Sequence, residues 1–114
     1  MKFTLPALAL AISSAAIAAE CDRSGGSRTC GSKNAQWSAR EAYCNNFWAT
    51  ATRYVLKDTN GYGVKIERSG SFSNQQQCWD VTANIINQCL GKKDGGHWVK
   101  APLTVDINFC FTDF

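Results

Sequence analysis

The amino-acid sequence predicts an α+β sandwich in which two helices cover one face of an antiparallel sheet. Three observations lead to this prediction. Two segments have the apolar periodicity of amphipathic helices, and a strong turn signal, Asn60-Gly61, separates two runs of β-forming residues. The last segment of the chain alternates apolar and polar residues. The predicted order is helix, two strands, helix, two strands.

The start of the chain is typical of a secretory signal peptide. A positive first region is followed by a short apolar run, residues 3–12, and then by small residues as far as Ala19. The apolar run is too short to span a membrane. We therefore predict a signal peptide over residues 1–19, cleaved after Ala18 or Ala19, and one secreted domain over residues 20–114.

The composition of the predicted domain excludes several classes of protein. Six cysteines in a small exported chain indicate three disulfides. A zinc site is not expected, because there is no C-x2-C pair and the one histidine is His97. The balance of 12 Lys and Arg against 9 Asp and Glu in the whole chain, where Lys2 belongs to the predicted signal peptide, gives no indication of a nucleic-acid partner. We expect no cofactor, no metal and no membrane span.

The first helix follows a turn-rich segment, residues 20–31, that shows no periodicity. Ser32 can cap a helix through "SKNAQWSAREAYCNNFW", although Ser38 and Glu41 also fit a capping box. Four residues recur at helical spacings and form one apolar stripe: Trp37, Cys44, Phe47 and Trp48. This position favours a core role for both tryptophans rather than a ligand-binding role.

A β-hairpin is predicted next, in "TATRYVLKDTNGYGVKIERSG". Asn60-Gly61 is a strong signal for a two-residue turn. Tyr54 and Leu56 alternate before this turn, and Val64 and Ile66 alternate after it. Tyr62 lies in the hairpin tip and is expected to be accessible to solvent.

The second helix carries a cysteine near each end. Ser71 or Ser73 can cap it, and Gly91 stands where a glycine commonly ends a helix. Cys78 and Cys89 are eleven residues apart, which is about three turns, so both face the same side. Their Cα atoms would be about 16 Å apart, whereas a disulfide tolerates about 7 Å. Each must therefore bond a different segment.

Two strands complete the chain after the loop "GKKDGG". "HWVK" is a short strand, and "LTVDINFCF" is the clearest strand in the sequence. Five alternate residues of this strand are expected to share one face: Leu103, Val105, Ile107, Phe109 and Phe111.

Three stretches carry a resemblance to a known family. "CDRSGGSRTCG", "AQWSAREAYC" and "CWDVTANIINQCLGKKDGGHW", in this order, resemble the fungal glycan-binding proteins called Y-three-like, over about residues 20–110. The resemblance implies a sandwich of helices around an antiparallel sheet, binding of oligosaccharides, and homodimers joined through sheet edges.

The cysteine order also resembles, more loosely, the KP-four killer toxins of fungi and their viruses, which carry more than six cysteines. Partly on their layout, the preferred pairing is Cys44–Cys78, Cys21–Cys89 and Cys30–Cys110. The activity of those toxins, blocking calcium entry into competing cells, depends on an exposed basic side chain. Arg53 or Lys57 precedes the hairpin turn and could take that role.

The loop "KKDGGHW" is the first candidate ligand site. Aromatic rings bind the C–H faces of sugars and polar groups bind the hydroxyls, so Asp94, His97 and Trp98, together with Tyr62, are the predicted glycan-binding residues. In the alternative interpretation, Trp98 is an inward-facing strand residue.

Together with the candidate loop, the first resemblance implies a secreted fungal lectin without catalysis, and the second implies, as an alternative, a killer-toxin-like effector. An enzyme is disfavoured because one histidine cannot supply an acid and a base, and no paired carboxylates are recognisable. Cysteines committed to disulfides leave no thiol nucleophile.

Overall fold

The computed structural model describes residues 18–23 and 30–114. These residues form two helices and one five-stranded antiparallel sheet, so the predicted α+β sandwich is confirmed. Residues 1–17 of the predicted signal peptide lie outside the described residues. The helices are α1 (Lys33–Asn46) and α2 (Gln75–Cys89), and the strands are β1 (Glu20–Asp22), β2 (Arg53–Lys57), β3 (Gly63–Ser69), β4 (Gly95–Lys100) and β5 (Leu103–Phe111).

The strands lie side by side in the order β1-β4-β5-β3-β2. The predicted hairpin is present as β2 and β3, with Tyr54 opposite Ile66 and Leu56 opposite Val64. Its turn contains Gly61 at φ 89°, a left-handed conformation that glycine adopts without a steric penalty. Sequence analysis did not predict β1, because three residues are too few to show an alternating pattern; it pairs with β4.

The helices bury one face of the sheet. Both contribute to a single core with the inward residues of the central strands, including Ala39, Tyr43, Ile85, Ile66 and Ile107. We call the opposite side of the sheet the open face; it carries the alternate residues His97, Asp106 and Glu67, which lie in one row across β4, β5 and β3. The fold thus has one buried and one polar sheet face.

Phe111 does not share the buried face of β5, so this part of the prediction is wrong. Lys65 pairs with Asn108 whereas Gly63 pairs with Phe111, so β5 has one residue more than β3 over the same distance. Such a β-bulge reverses the alternation of side chains beyond it. Phe111 consequently lies on the open face, where Nζ of Lys65 is 5.0 Å from the centroid of its ring.

The helix ends follow local capping chemistry. Ser32 caps α1, as predicted, by accepting a hydrogen bond from the backbone N–H of Ala35 at 3.1 Å. The cap of α2 is Asn74 instead of Ser71 or Ser73, and its Oδ1 accepts from Gln77 N at 2.9 Å. A side-chain amide caps a helix as well as a hydroxyl does, so the sequence alone did not show which of Ser71, Ser73 and Asn74 is the cap.

Three disulfides join the elements, and they are the pairs of the preferred set. Cys21–Cys89 ties β1 to α2, Cys30–Cys110 ties the chain before α1 to the end of β5, and Cys44–Cys78 joins the two helices. The Cα–Cα distances are 5.2, 4.8 and 5.7 Å. Each bridge closes a long loop and restricts the unfolded chain.

Removal of the bridge between the helices tests this account of stability. We expect the double variant Cys44→Ala, Cys78→Ala to lose about 3–4 kcal/mol of the free energy of unfolding, because the bridge closes a loop of 34 residues. Urea unfolding of the oxidised protein measures the loss, with Ser38→Ala on the exposed side of α1 as the control. A loss below about 1 kcal/mol would contradict the expectation.

Candidate functional site

A cleft of about 490 Å³ opens between the start of α1, the end of α2 and the loop before β4. Its apolar wall consists of Trp37, Ile86, Leu90 and Phe109. Its polar wall includes Ser32, Lys33, Asn87, Lys93 and Asp94. The volume is in the range of small-molecule sites, about 300–1,000 Å³, and the mixture of apolar and polar groups is typical of them.

The rim of the cleft at the start of α1 is held by the tip of the β2–β3 hairpin. The backbone N–H of Ser32 donates to Oδ2 of Asp58 at 2.7 Å, and Nδ2 of Asn60 donates to the carbonyl oxygen of Cys30 at 2.5 Å. The backbone N–H groups of Ser32 and Thr59 stabilise the charged form of Asp58 and so lower its pKa. The hairpin turn therefore positions the first residues of the cleft.

The floor of the cleft is fixed by one buried carboxamide. Gln36 is fully buried, and its Nε2 donates to the carbonyl oxygens of Gly31 at 3.2 Å and Phe109 at 3.1 Å. Its Oε1 has no hydrogen-bond partner among the described residues. Gly31 leaves room for this contact, because a Cβ there would lie 2.8 Å from Nε2 of Gln36.

Arg40 fixes the orientation of Trp37. Its guanidinium carbon lies 5.3 Å from the centroid of the Trp37 ring and 4.7 Å from that of Trp79. Nε and Nη2 of Arg40 also donate to the carbonyl oxygen of Trp79, at 3.2 and 3.0 Å. Burial lowers the pKa of Arg40 from its usual value, but an arginine remains charged at neutral pH. The indole of Trp37 is thus held beside the cleft by a cation stacked on it.

The loop after α2 presents the other wall. Gly91 has φ 87°, and the backbone N–H groups of Lys92 and Lys93 donate to the carbonyl oxygen of Cys89, so the chain turns sharply. Asp94 follows this turn and is 5% exposed, with its carbonyl oxygen accepting from the backbone N–H of Phe109 at 2.9 Å. The turn therefore places Lys93 and Asp94 at the cleft.

The structure does not bring the four predicted ligand residues together. Asp94 lines the cleft, whereas Trp98 is 7% exposed and packs in the core beneath the helices. His97 lies on the open face, because successive residues of β4 point to opposite sides of the sheet. Tyr62 is half-buried in the hairpin, where its N–H donates to Oδ1 of Asn60.

Sequence analysis missed most of the cleft. Trp37 was assigned to the core stripe of α1, and it does pack against the core, but it is only half-buried and also lines the cleft. Helical periodicity finds the side of the helix that is apolar and gives no indication of which apolar residue reaches its edge. Nothing in the sequence indicated that Lys33 and Asn87 line a cleft, because the residues across the cleft from them are distant in sequence.

The open face carries a separate group of charged residues around His97. Nδ1 of His97 lies 2.5 Å from Oδ2 of Asp22, and Nε2 lies 3.4 Å from Oε1 of Glu20. Arg23 bridges Asp22 and Asp106 at 2.7 and 2.9 Å. The hydrogen bond to Asp22, reinforced by the charges of Asp22, Glu20 and Asp106, raises the pKa of His97 against an opposing effect of burial.

Two groups of potential metal ligands occur in the described part of the chain, and the side chains of both already have other partners. Asp22, His97 and Asp106 have ligand atoms within 4.8 Å of one another, and both carboxylates are also ion-paired with the guanidinium of Arg23. Cys30 and Cys110 lie near Asp94, yet their sulfur atoms are joined in a disulfide and cannot act as thiolate ligands.

A family model of alpha-galactosyl binding lectins matches residues 31–112. The chain belongs to this family. The match begins at the cleft and runs to the end of β5, so it contains both helices and four of the five strands. Membership of a lectin family agrees with the lectin-like character that the sequence predicts. Comparison with curated proteins gives no match.

Over residues 18–23 and 30–114, no helix is both long and apolar enough to cross a membrane.

The raised pKa of His97 predicts a pH dependence of stability. A histidine whose pKa is higher in the folded state stabilises the fold below its unfolded pKa, about 6.5, and this stabilisation is lost as the pH rises through the folded value. The difference in free energy of unfolding between wild type and His97→Gln should be largest near pH 6 and should shrink towards pH 8.5. Urea unfolding across this range measures it, and a difference independent of pH would contradict the assignment.

Proposed function

We propose that the protein is a secreted, non-catalytic lectin that binds glycans ending in an α-galactosyl residue, in the cleft beside Trp37. One observation carries this proposal: a preformed cleft with an aromatic wall and several polar side chains lies within the region that matches the alpha-galactosyl binding lectins. Membership of the family supports the proposed class of sugar, and the geometry of the cleft supports the proposed location.

The chemistry of the cleft suits a terminal galactose. The axial hydroxyl of galactose leaves one face of the ring with a continuous patch of C–H groups, and such a patch stacks well on an indole. Trp37 packs against the core, carries Arg40 on its ring and also lines the cleft, so the part of the indole that lines the cleft can contact the sugar. Asn87 can both donate to and accept from sugar hydroxyls, and Lys93 can donate.

The acidic groups of the cleft support binding without hydrolysis. Glycosidases use two carboxyl groups on either side of the bond that is cleaved. In the described part of the chain, Asp94 is the one acidic residue that lines the cleft. A single carboxylate can accept hydrogen bonds from sugar hydroxyls but cannot provide the acid and the second carboxylate together.

A glycan array with Trp37→Ala tests the location of the site. We expect the native oxidised protein to bind α-galactosyl-terminated glycans in preference to β-galactosyl ones, and we expect Trp37→Ala to weaken binding at least about tenfold, equivalent to about 1.4 kcal/mol, because the stacking surface is removed. Asn87→Ala should also weaken it. Trp48→Ala is the matched control. Like Trp37, Trp48 is a half-buried tryptophan that packs against the core, but it lies after the end of α1 and does not line the cleft.

Two results would count against this proposal. Unchanged binding by a folded Trp37→Ala protein would remove the cleft as the site. If His97→Ala or Tyr62→Ala then abolished binding, the site would lie where the sequence analysis placed it. No signal from any glycan with the folded wild type would remove the lectin function itself.

We also propose that the protein is exported from a fungal cell and that it is related to the Y-three-like proteins. Three disulfides in a small domain support an oxidising compartment. The homodimer implied by the Y-three-like resemblance would use the edge strands β1 and β2. Analytical ultracentrifugation of the secreted protein distinguishes a dimer from a monomer.

One observation supports the toxin-like alternative. Arg53 and Lys57 are both exposed at the β2 edge, and their charged groups lie 5.7 and 5.2 Å from the ring centroids of Phe111 and Phe114. Growth inhibition of fungi that persists in Trp37→Ala, but disappears in Arg53→Gln or Lys57→Gln, would establish this alternative.

A further inference from the structure

The first described residues form a specific contact with α2. The backbone nitrogen of Ala19 donates to Oδ1 of Asn84 at 2.8 Å. Ala19 is 9% exposed and belongs to the hydrophobic core, whereas Ala18 is exposed. Ala19 is therefore a buried, hydrogen-bonded residue between exposed Ala18 and exposed Glu20.

The sequence places a processing signal at the bond between Ala18 and Ala19. Ala16 and Ala18 occupy the third and first positions before it, which is the A-x-A spacing that precedes a signal-peptide cleavage site. Cleavage one residue later would place Ile17, a large branched residue, at the third position. The spacing therefore selects the bond after Ala18 over the bond after Ala19.

We propose that the chain is hydrolysed between Ala18 and Ala19 by an endopeptidase of the signal-peptidase type, and that the new α-amino group of Ala19 binds Asn84. Water is the second reactant: its oxygen becomes part of the carboxylate of Ala18, and the amide nitrogen of Ala19 becomes an amine, which is protonated at neutral pH. The mature chain then begins one residue earlier than the predicted domain, residues 20–114.

The fold gives this residue a structural role. The peptidase acts on the unfolded chain during export, so the A-x-A spacing determines the cut and the fold then uses the residue that remains. The methyl group of Ala19 stays in the core, and its ammonium keeps one N–H on Oδ1 of Asn84. Loss of Ala19 would leave Asn84 without this donor.

The first test is the amino-terminal sequence and the intact mass of the protein secreted from a eukaryotic host with its own residues 1–19. The proposal predicts a chain that starts at Ala19. A start at Glu20, or a secreted chain that retains residues 1–18, would overturn it.

The second test detects the ammonium through its partner. In Asn84→Asp, a carboxylate faces the new amine, so the pKa of that amine should rise by about one unit or more above its usual 7.7–8.0. The added stability should be present below that usual range and should disappear as the pH rises through the raised value. NMR titration of the Ala19 resonances reports the pKa directly.

The matched control is the same Asn84→Asp substitution in a refolded chain that begins at Ala16. There the nitrogen of Ala19 is an amide and cannot titrate, so no pH-dependent gain should appear between pH 7 and 10. Equal behaviour of the two chains would overturn the proposal. Neither test involves sugar binding, so their outcome is independent of the glycan array.

Discussion

The fold depends on the spacing of two cysteines along α2. Cys78 and Cys89 lie on the buried side of the helix, about three turns apart, so neither can reach the other. One bonds α1 through Cys44 and the other bonds β1 through Cys21. The helix thereby fixes both its neighbour in the helical layer and the edge of the sheet, which a core of this small size could hold only weakly.

The cleft is a consequence of the same arrangement. Cys30–Cys110 holds the chain before α1 against the end of β5, and Gln36 binds the carbonyl oxygens on both sides of that junction. The hairpin tip adds the hydrogen bond from Ser32 to Asp58. Three segments distant in sequence thus converge on one concave surface, and Trp37 is oriented there by Arg40. A cleft held by a disulfide and these hydrogen bonds is preorganised, which would lower the entropic cost of the sugar binding that we propose for it.

Residues on the two sides of β4 show where sequence reasoning succeeds and where it fails. Alternation of side chains correctly describes most of β5, and it could also have separated Trp98 from His97. Composition grouped these two residues with Asp94 as one ligand site, although the pleat of the strand sends them to opposite faces. The position of Phe111 on the open face was not predicted, because a bulge is defined by the pairing of two strands and no property of β5 alone reveals it.

The sequence by itself determined the fold class, the hairpin and the fact that Cys78 and Cys89 bond different segments, because periodicity, turn chemistry and helix rise are local properties of the chain. Only the tertiary structure decided that Trp37, Asn87 and Asp94 share a cleft while His97 faces away from it. It also decided the contact between Ala19 and Asn84. These are contacts between distant segments, and their geometry exists only after the helices are packed on the sheet.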